Sequence, residues 1–329
     1  MENNVSLETI LNAAKRLKGK IVKTPLLRSD YIDKNFNTKL FLKAENLQTG
    51  GAFKFRGAMN TILQLSKEEK QVVAWSSGNH AQAVAAAAKI TGRKATIIMP
   101  KDSPKTKLDG TAFWGATIVT YDRKNESREQ IGREYAEKLN ATIIPPYDDI
   151  NVITGQGTAG LECNQQLTDI GVIPDIVLCC CGGGGLIAGL STAVKAKFKN
   201  TEIYSVEPEH FDDTKKSLLE NKIIENSMTN KSICDALLAN KPGDITFPIN
   251  KKNLTSGISV TDEEALIAMH SAYKHFKIVL EPGGAVALAA AISNKININN
   301  KNVLVIASGG NVDKHVFENC LKTQSIYSY

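Results

Sequence analysis

Ile176-Val177-Leu178-Cys179-Cys180-Cys181-Gly182-Gly183-Gly184-Gly185-Leu186-Ile187-Ala188-Gly189 is a short apolar run, four glycines, and the start of a second apolar run. The first run reads as a strand over 176–180 and the second as a helix over 186–198, with the glycines at the turn between them. Bare backbone N–H groups at such a turn, beside the amino end of a helix, surround an anion such as a phosphate. A nucleoside triphosphate loop would close on Gly-Lys-Ser or Gly-Lys-Thr, and here Leu186 and Ile187 follow instead. A dinucleotide fingerprint is compatible: Gly183, Gly185 and Ala188 satisfy G-x-G-x-x-A, and Glu207 ends the next strand.

Outward from this stretch the same alternation repeats. Strands are expected over 72–76, 95–99, 117–121, 142–144, 203–206 and 303–308, and helices over 79–90, 103–113, 128–139, 155–167 and 262–275. The fold class is therefore α/β, with mostly parallel sheets, helices on both faces, and sites beyond the carboxyl ends of the strands. Pro145-Pro146-Tyr147-Asp148-Asp149 breaks the pattern before the expected helix start at Gly155, which suggests two lobes with a cleft between them.

Composition narrows the function class. The 329 residues are 42% hydrophobic and 22% charged, enough for a substantial core. The net charge of +6 arises from 40 basic and 34 acidic residues spread along the chain without a basic run, so no nucleic-acid footprint is expected. Residues 1–6 are polar and 7–20 charged, with no signal-peptide core and no membrane-length apolar run, so a cytoplasmic protein is expected. Cys163, Cys234 and Cys320 are isolated, and the consecutive Cys179, Cys180 and Cys181 alternate across a strand, so the six read as reduced structural thiols. The chain ends at Tyr329, soon after its last expected elements. No appended regulatory domain, and hence no isoleucine feedback, is expected.

Three further stretches carry chemistry. Ser76-Ser77-Gly78-Asn79-His80 joins a strand to an alanine-rich helix and offers N–H groups and hydroxyls suited to a carboxylate; an ordinary helix cap would look the same. Thr49-Gly50-Gly51-Ala52-Phe53-Lys54-Phe55-Arg56-Gly57-Ala58 sets Lys54 between two phenylalanines at a helix start, where desolvation would lower its pKa and leave it able to form an imine. Ile306-Ala307-Ser308-Gly309-Gly310-Asn311 ends a strand with a hydroxyl and two glycines.

In this order, from Lys23-Thr24-Pro25-Leu26 to Ser308-Gly309-Gly310-Asn311-Val312-Asp313, the segments closely resemble the threonine/serine dehydratase and serine racemase family, fold-type II pyridoxal phosphate enzymes built like the tryptophan synthase β chain. The resemblance implies a large cofactor-binding domain from 1–69 and 149–329 and a small, mobile, substrate-closing domain from 70–148. It implies Lys54 as the Schiff-base lysine and carrier of the α proton, Phe53 and Glu281 beside the cofactor ring, and Asn79 on the ring hydroxyl. Gly182, Gly183, Gly184 and Gly185 would hold the phosphate, and Ser308 would meet the pyridine nitrogen. A serine there, unlike a carboxylate, does not stabilise a protonated ring and so favours loss of a β leaving group.

Ser76, Ser77, Gly78, Asn79 and His80 match the loop that receives the substrate carboxylate, and Ser77 also matches the second acid/base of racemases. Glu207 and Asp213, with the carbonyl of Phe211, match a divalent cation site of the kind that takes Mg²⁺ or Ca²⁺. One departure is Ala52, where many relatives carry serine, a difference that bears on specificity. His210, His270, His275 and His315 sit in no motif. The implied activity is dehydrative deamination of L-threonine or L-serine to a 2-oxo acid and ammonia, in a homodimer. Serine racemase and 3-hydroxyaspartate dehydratase are the alternatives on the same scaffold, the latter without an evident cation for its second carboxylate. A noncatalytic ligand-binding relative and a dinucleotide oxidoreductase are the more distant ones.

Overall fold

The computed structural model describes residues 4–227 and 229–323. The polar start at 1–3 and the chain end at Tyr329 lie outside the described residues. Among those described, ten strands occur: β1 (Leu26–Leu27), β2 (Lys39–Ala44), β3 (Gln71–Trp75), β4 (Lys94–Pro100), β5 (Thr117–Tyr121), β6 (Thr142–Ile143), β7 (Ile176–Cys180), β8 (Glu202–Pro208), β9 (Ser256–Val260) and β10 (Asn302–Ala307). They form a six-stranded sheet ordered β1-β2-β10-β7-β8-β9 and a four-stranded sheet ordered β5-β4-β3-β6. Every pairing is parallel except β1 with β2. Strand β7 is buried along its whole length between β10 and β8, which is why 176–180 reads as an unbroken apolar run rather than an alternating one.

Each sheet has its own apolar core. That of the four-stranded sheet joins Val72, Ala74, Ile97 and Met99 to Phe55, Met59 and Ile62 of the helix Lys54–Ile62, so the lysine helix packs directly under this sheet. The helix expected from Gly155 begins at Ile150 and runs to Asp169, because the Asp149 carboxylate accepts the Val152 N–H and caps it. The helix expected over 262–275 is regular only through Ser271 and widens into a π-type turn over Ala272–Phe276. No helix among the described residues is long and apolar enough to cross a membrane.

One charged cluster lies inside the fold. The Arg56 guanidinium, fully buried, donates to both carboxylate oxygens of Glu45 (2.7 and 2.8 Å) and both of Glu162 (2.8 Å each). Lys43, equally buried, donates to Glu162 (2.6 Å), Gln166 (3.0 Å) and the Thr24 carbonyl (2.8 Å). The cations hold the Glu45 carboxyl below its usual range against the effect of burial. Arg56→Leu leaves that buried carboxylate with the Thr24 hydroxyl in place of its paired cation, and denaturant unfolding is expected to show a loss of about 3–5 kcal/mol; a change below about 1 kcal/mol would refute a structural role for the pair.

Candidate active site

Lys54 opens its helix directly after Gly50 and Gly51, both at positive φ (74° and 75°). The segment before it is tied to the turn after β10: the Phe53 N–H donates to the Ser308 carbonyl (3.0 Å), the Gly310 N–H donates to the Gly51 carbonyl (2.9 Å), and Ala52 bridges Gly309. Lys54 and Ser308, far apart in sequence, are therefore fixed relative to one another by backbone hydrogen bonds. The Lys54 ammonium donates to the Pro146 carbonyl at 2.6 Å and lies 5.3 Å from the Phe53 ring centre. Burial lowers its pKa from the usual lysine value to about 8.

A cavity of about 340 Å³ lies over this lysine, within the range for small-molecule and cofactor sites. Its walls bring together Phe53, Lys54, Ser76, Ser77, Gly78, Asn79 and His80 with Gly182, Gly183, Gly184, Gly185 and Ser308. The glycines form a close-fitting cradle. Gly184 has φ +91°, and a Cβ on Gly183 would come within 2.3 Å of the Tyr147 ring. The helix Gly185–Lys197 begins at this cradle with its amino end, which suits a phosphate.

Glu281, 1% exposed, is not among the residues lining the cavity and sits directly behind them. The Asn79 amide donates to it and accepts a hydrogen bond from Asn311 (2.9 Å). One N–H of Asn79 is thus committed to Glu281 and one remains for a ligand oxygen. His80, expected in the substrate loop, lines the cavity, while its ring Nε2 donates to the Ile144 carbonyl (2.9 Å), and burial, with the Lys54 charge, depresses its pKa to about 3. The neutral ring ties the start of the helix Asn79–Ile90 to the end of β6.

Several residues here were not legible in the sequence. The buried Lys107 ion-pairs with Asp235 (2.6 Å) and Glu281 (2.9 Å), and a Cβ on Gly78 would come within 2.6 Å of its chain. Burial opposes the charge, but the two carboxylates outweigh it and hold the ammonium above its usual range. For Glu281 burial wins, and its pKa is raised despite Lys107. Arg128, Lys241 and Tyr147 also line the cavity, as do Cys180 and Cys181, which sequence reading took as purely structural.

Glu207, Phe211 and Asp213 lie outside the cavity. Glu207 and Asp213 are fully buried, and both carboxylate oxygens of Glu207 accept backbone N–H groups, from Thr214 and Lys215 (2.9 Å each). The carboxylate faces the first turn of the helix Asp213–Glu220, away from the cavity, which removes it from a ribose-binding role there. Burial and the Asp213 charge raise the Glu207 pKa well above its usual range, and burial pushes Asp213 up to about 7. Asp213 Oδ2 is buried without a donor, as a carboxylate oxygen waiting on a cation would be. Among the described residues no three His, Cys, Asp or Glu side chains form a metal cluster, so the expected set depends on a backbone carbonyl as its third oxygen.

The lysine, the glycine cradle and the serine turn are the parts a pyridoxal phosphate needs, and a family model described as pyridoxal-phosphate dependent enzyme matches residues 17–309. The chain belongs to that family. This pyridoxal phosphate enzyme is 40% identical over 318 residues to a serine racemase of Schizosaccharomyces pombe, covering 95% of this chain and 97% of the relative. It is 40% identical over 306 residues to an L-threo-3-hydroxyaspartate ammonia-lyase of Saccharomyces cerevisiae, covering 92% of each. The solved structure of maize serine racemase superposes with a TM-score of 0.90 at 36% identity, over 97% of each chain.

An amine with a pKa near 8 is half neutral at that pH, and only the neutral form attacks an aldehyde. The rate at which the pyridoxal phosphate enzyme, stripped of cofactor, recaptures the cofactor should rise through pH 7–9, with its midpoint at about 8, and be level well before pH 10. Stopped-flow absorbance reads this directly; a rate still climbing through pH 10 would mean an unperturbed lysine.

Proposed function

We propose that this enzyme is an ammonia-lyase that dehydrates and deaminates L-threonine or L-serine to a 2-oxo acid and ammonia. The observation that carries the reading is the convergence of Lys54, the glycine cradle and Ser308 in one cavity. Lys54 would carry the cofactor through its amine, Gly182, Gly183, Gly184 and Gly185 would hold its phosphate, Asn79 its ring hydroxyl and Ser308 its ring nitrogen, with Phe53 and Glu281 flanking the ring. When bound, pyridoxal phosphate supplies an electron sink that acidifies the α C–H of an amino acid.

The chain's own contribution is positioning and proton transfer. The N–H groups and hydroxyls of Ser76, Ser77 and Gly78, at the amino end of the helix Asn79–Ile90, receive the substrate carboxylate. The Lys54 Nζ takes the α proton, and its lowered pKa gives it a far larger neutral fraction near pH 7–8 than an ordinary lysine has. Ser308 carries no negative charge toward the ring, which favours departure of the β hydroxyl. Ser77 is the second proton carrier in a racemase branch. A hard cation, Mg²⁺ or Ca²⁺, is proposed at Glu207, Asp213 and the Phe211 carbonyl, supported by the two buried carboxylates and the donorless Asp213 Oδ2.

A second reading, 3-hydroxyaspartate as substrate, is favoured by Arg128 and Lys241, which supply the cavity cations that the sequence reading did not find. The two lobes enter the proposal as a smaller unit, 70–148, closing over 1–69 and 149–329, supported by the separate sheets. A cytoplasmic homodimer belongs to the same proposal, supported by the resemblance and by six buried free thiols.

With the purified yellow protein, L-threonine, L-serine and both 3-hydroxyaspartate diastereomers are compared for 2-oxo acid release. Lys54→Ala is expected to abolish the colour and lower release on the order of 10³-fold or more. Arg128→Leu should spare threonine and depress hydroxyaspartate selectively. No keto acid from any substrate by a yellow protein would overturn the lyase reading.

A further inference from the structure

Asn226 lies behind the cavity wall and is 7% exposed. Its Nδ2 donates to Asp213 Oδ1 at 2.5 Å and to the Ala239 carbonyl at 3.0 Å, and its backbone N–H donates to the Asn240 carbonyl at 2.7 Å. Both amide hydrogens of the side chain are thereby used, in two directions. One points to a carboxylate of the acidic pair, the other to a segment whose residues Ala239, Asn240 and Lys241 line the cavity. The remaining Asn226 oxygen, Oδ1, is buried without a donor, and so is Asp213 Oδ2. Two donorless oxygens on hydrogen-bonded neighbours, beside a second buried carboxylate, have the chemistry of a hard-cation environment.

We propose that Asn226 is a positioning residue that couples occupancy of the Glu207–Asp213 pair by a divalent cation to the cavity wall at Ala239, Asn240 and Lys241. The inference rests on the cation reading above. A cation held by Asp213 fixes the direction of that carboxylate and its hydrogen bond to Asn226. Asn226 then holds the Ala239 carbonyl and, through its main chain, that of Asn240. Without the cation, the Asp213 Oδ2 has no partner to fix the direction of its carboxylate, so Asn226 loses a fixed anchor and the wall one of its supports. A parallel link leaves the same helix start toward the glycine cradle, where Thr214 Oγ1 lies 3.2 Å from Cys181 Sγ. Substitution at Asn226 leaves that link intact, which lets the two routes be told apart.

The holoenzyme is stripped with a chelator and titrated with Mg²⁺ or Ca²⁺ to saturation, with two readouts that need no turnover. One is the melting temperature. The other is the apparent Kd of L-alanine, which has no β hydroxyl to lose, from cofactor absorbance and from the fluorescence of Trp75 in the cavity wall. In the wild type the cation should raise the melting temperature and lower the Kd at least about fivefold. Asn226→Ala, and Asn226→Asp, which keeps the size but loses the donors to both Asp213 and Ala239, should still be stabilised by the cation while their Kd responds by less than about twofold. Asp213→Asn should lose both responses. A full wild-type Kd response in either folded Asn226 variant overturns the coupling, as does a wild-type Kd indifferent to a cation that stabilises the fold. Absence of any cation effect on wild-type melting overturns the cation reading itself, and the coupling with it.

Discussion

The Arg56 guanidinium holds the lysine helix in place. A buried cation with five fixed donors is tolerable only where acceptors surround it, and here two carboxylates each take a bidentate pair. Glu45 follows directly on β2, and Glu162 projects from the long helix Ile150–Asp169. Three elements are therefore pinned at one point, and Lys54 lies only two residues away on the pinned helix. The amine that must meet an aldehyde within a few tenths of an ångström is positioned by a charge network that never touches the ligand.

A second buried cation organises the cavity from the other side. Lys107 stands on the helix after β4, whereas its partners Asp235 and Glu281 belong to the part of the chain built on the six-stranded sheet. Its ion pairs therefore cross the cleft, and its chain passes under Gly78 in the loop that offers N–H groups to a carboxylate. Charges of this kind act at short range in a poorly solvated space, where they fix geometry more firmly than surface pairs do. The same lysine supports the loop at Gly78 and pairs with the buried Glu281.

What the sequence made legible was local. The run 176–189 declares a strand, an anion cradle and a helix because all three signals sit in consecutive residues, and the motif around Lys54 is readable for the same reason. Contacts across the chain were not legible. Lys107 looks like any surface lysine until its partner 128 residues on is seen beside it. The helix Pro282–Ile292 was missed because Pro-Gly-Gly reads as a breaker and, buried all round, the helix has no polar face to set its period. The helix start at Ile150 was misplaced because two prolines drew attention from the cap at Asp149. Strand β9 is a half-exposed edge with little apolar pattern, and it too was missed.

The order of strands in the larger sheet bears on how the molecule comes to exist. Strand β10 is the last strand among the described residues yet sits in the interior of the sheet, with β2 on one side and β7 on the other. Until it emerges, β1 and β2 have no hydrogen-bonded route to β7, β8 and β9, and the turn that carries Ser308 is absent from beside Lys54. A chain growing from the ribosome must therefore hold two unfinished half-sheets, each with an open parallel edge, until β10 has emerged. Closure is then a single late event that joins distant segments, a slow kind of topology to fold. Cofactor capture by a well-formed site has to wait for it, which makes the completed enzyme, rather than any shorter intermediate, the species that pyridoxal phosphate stabilises.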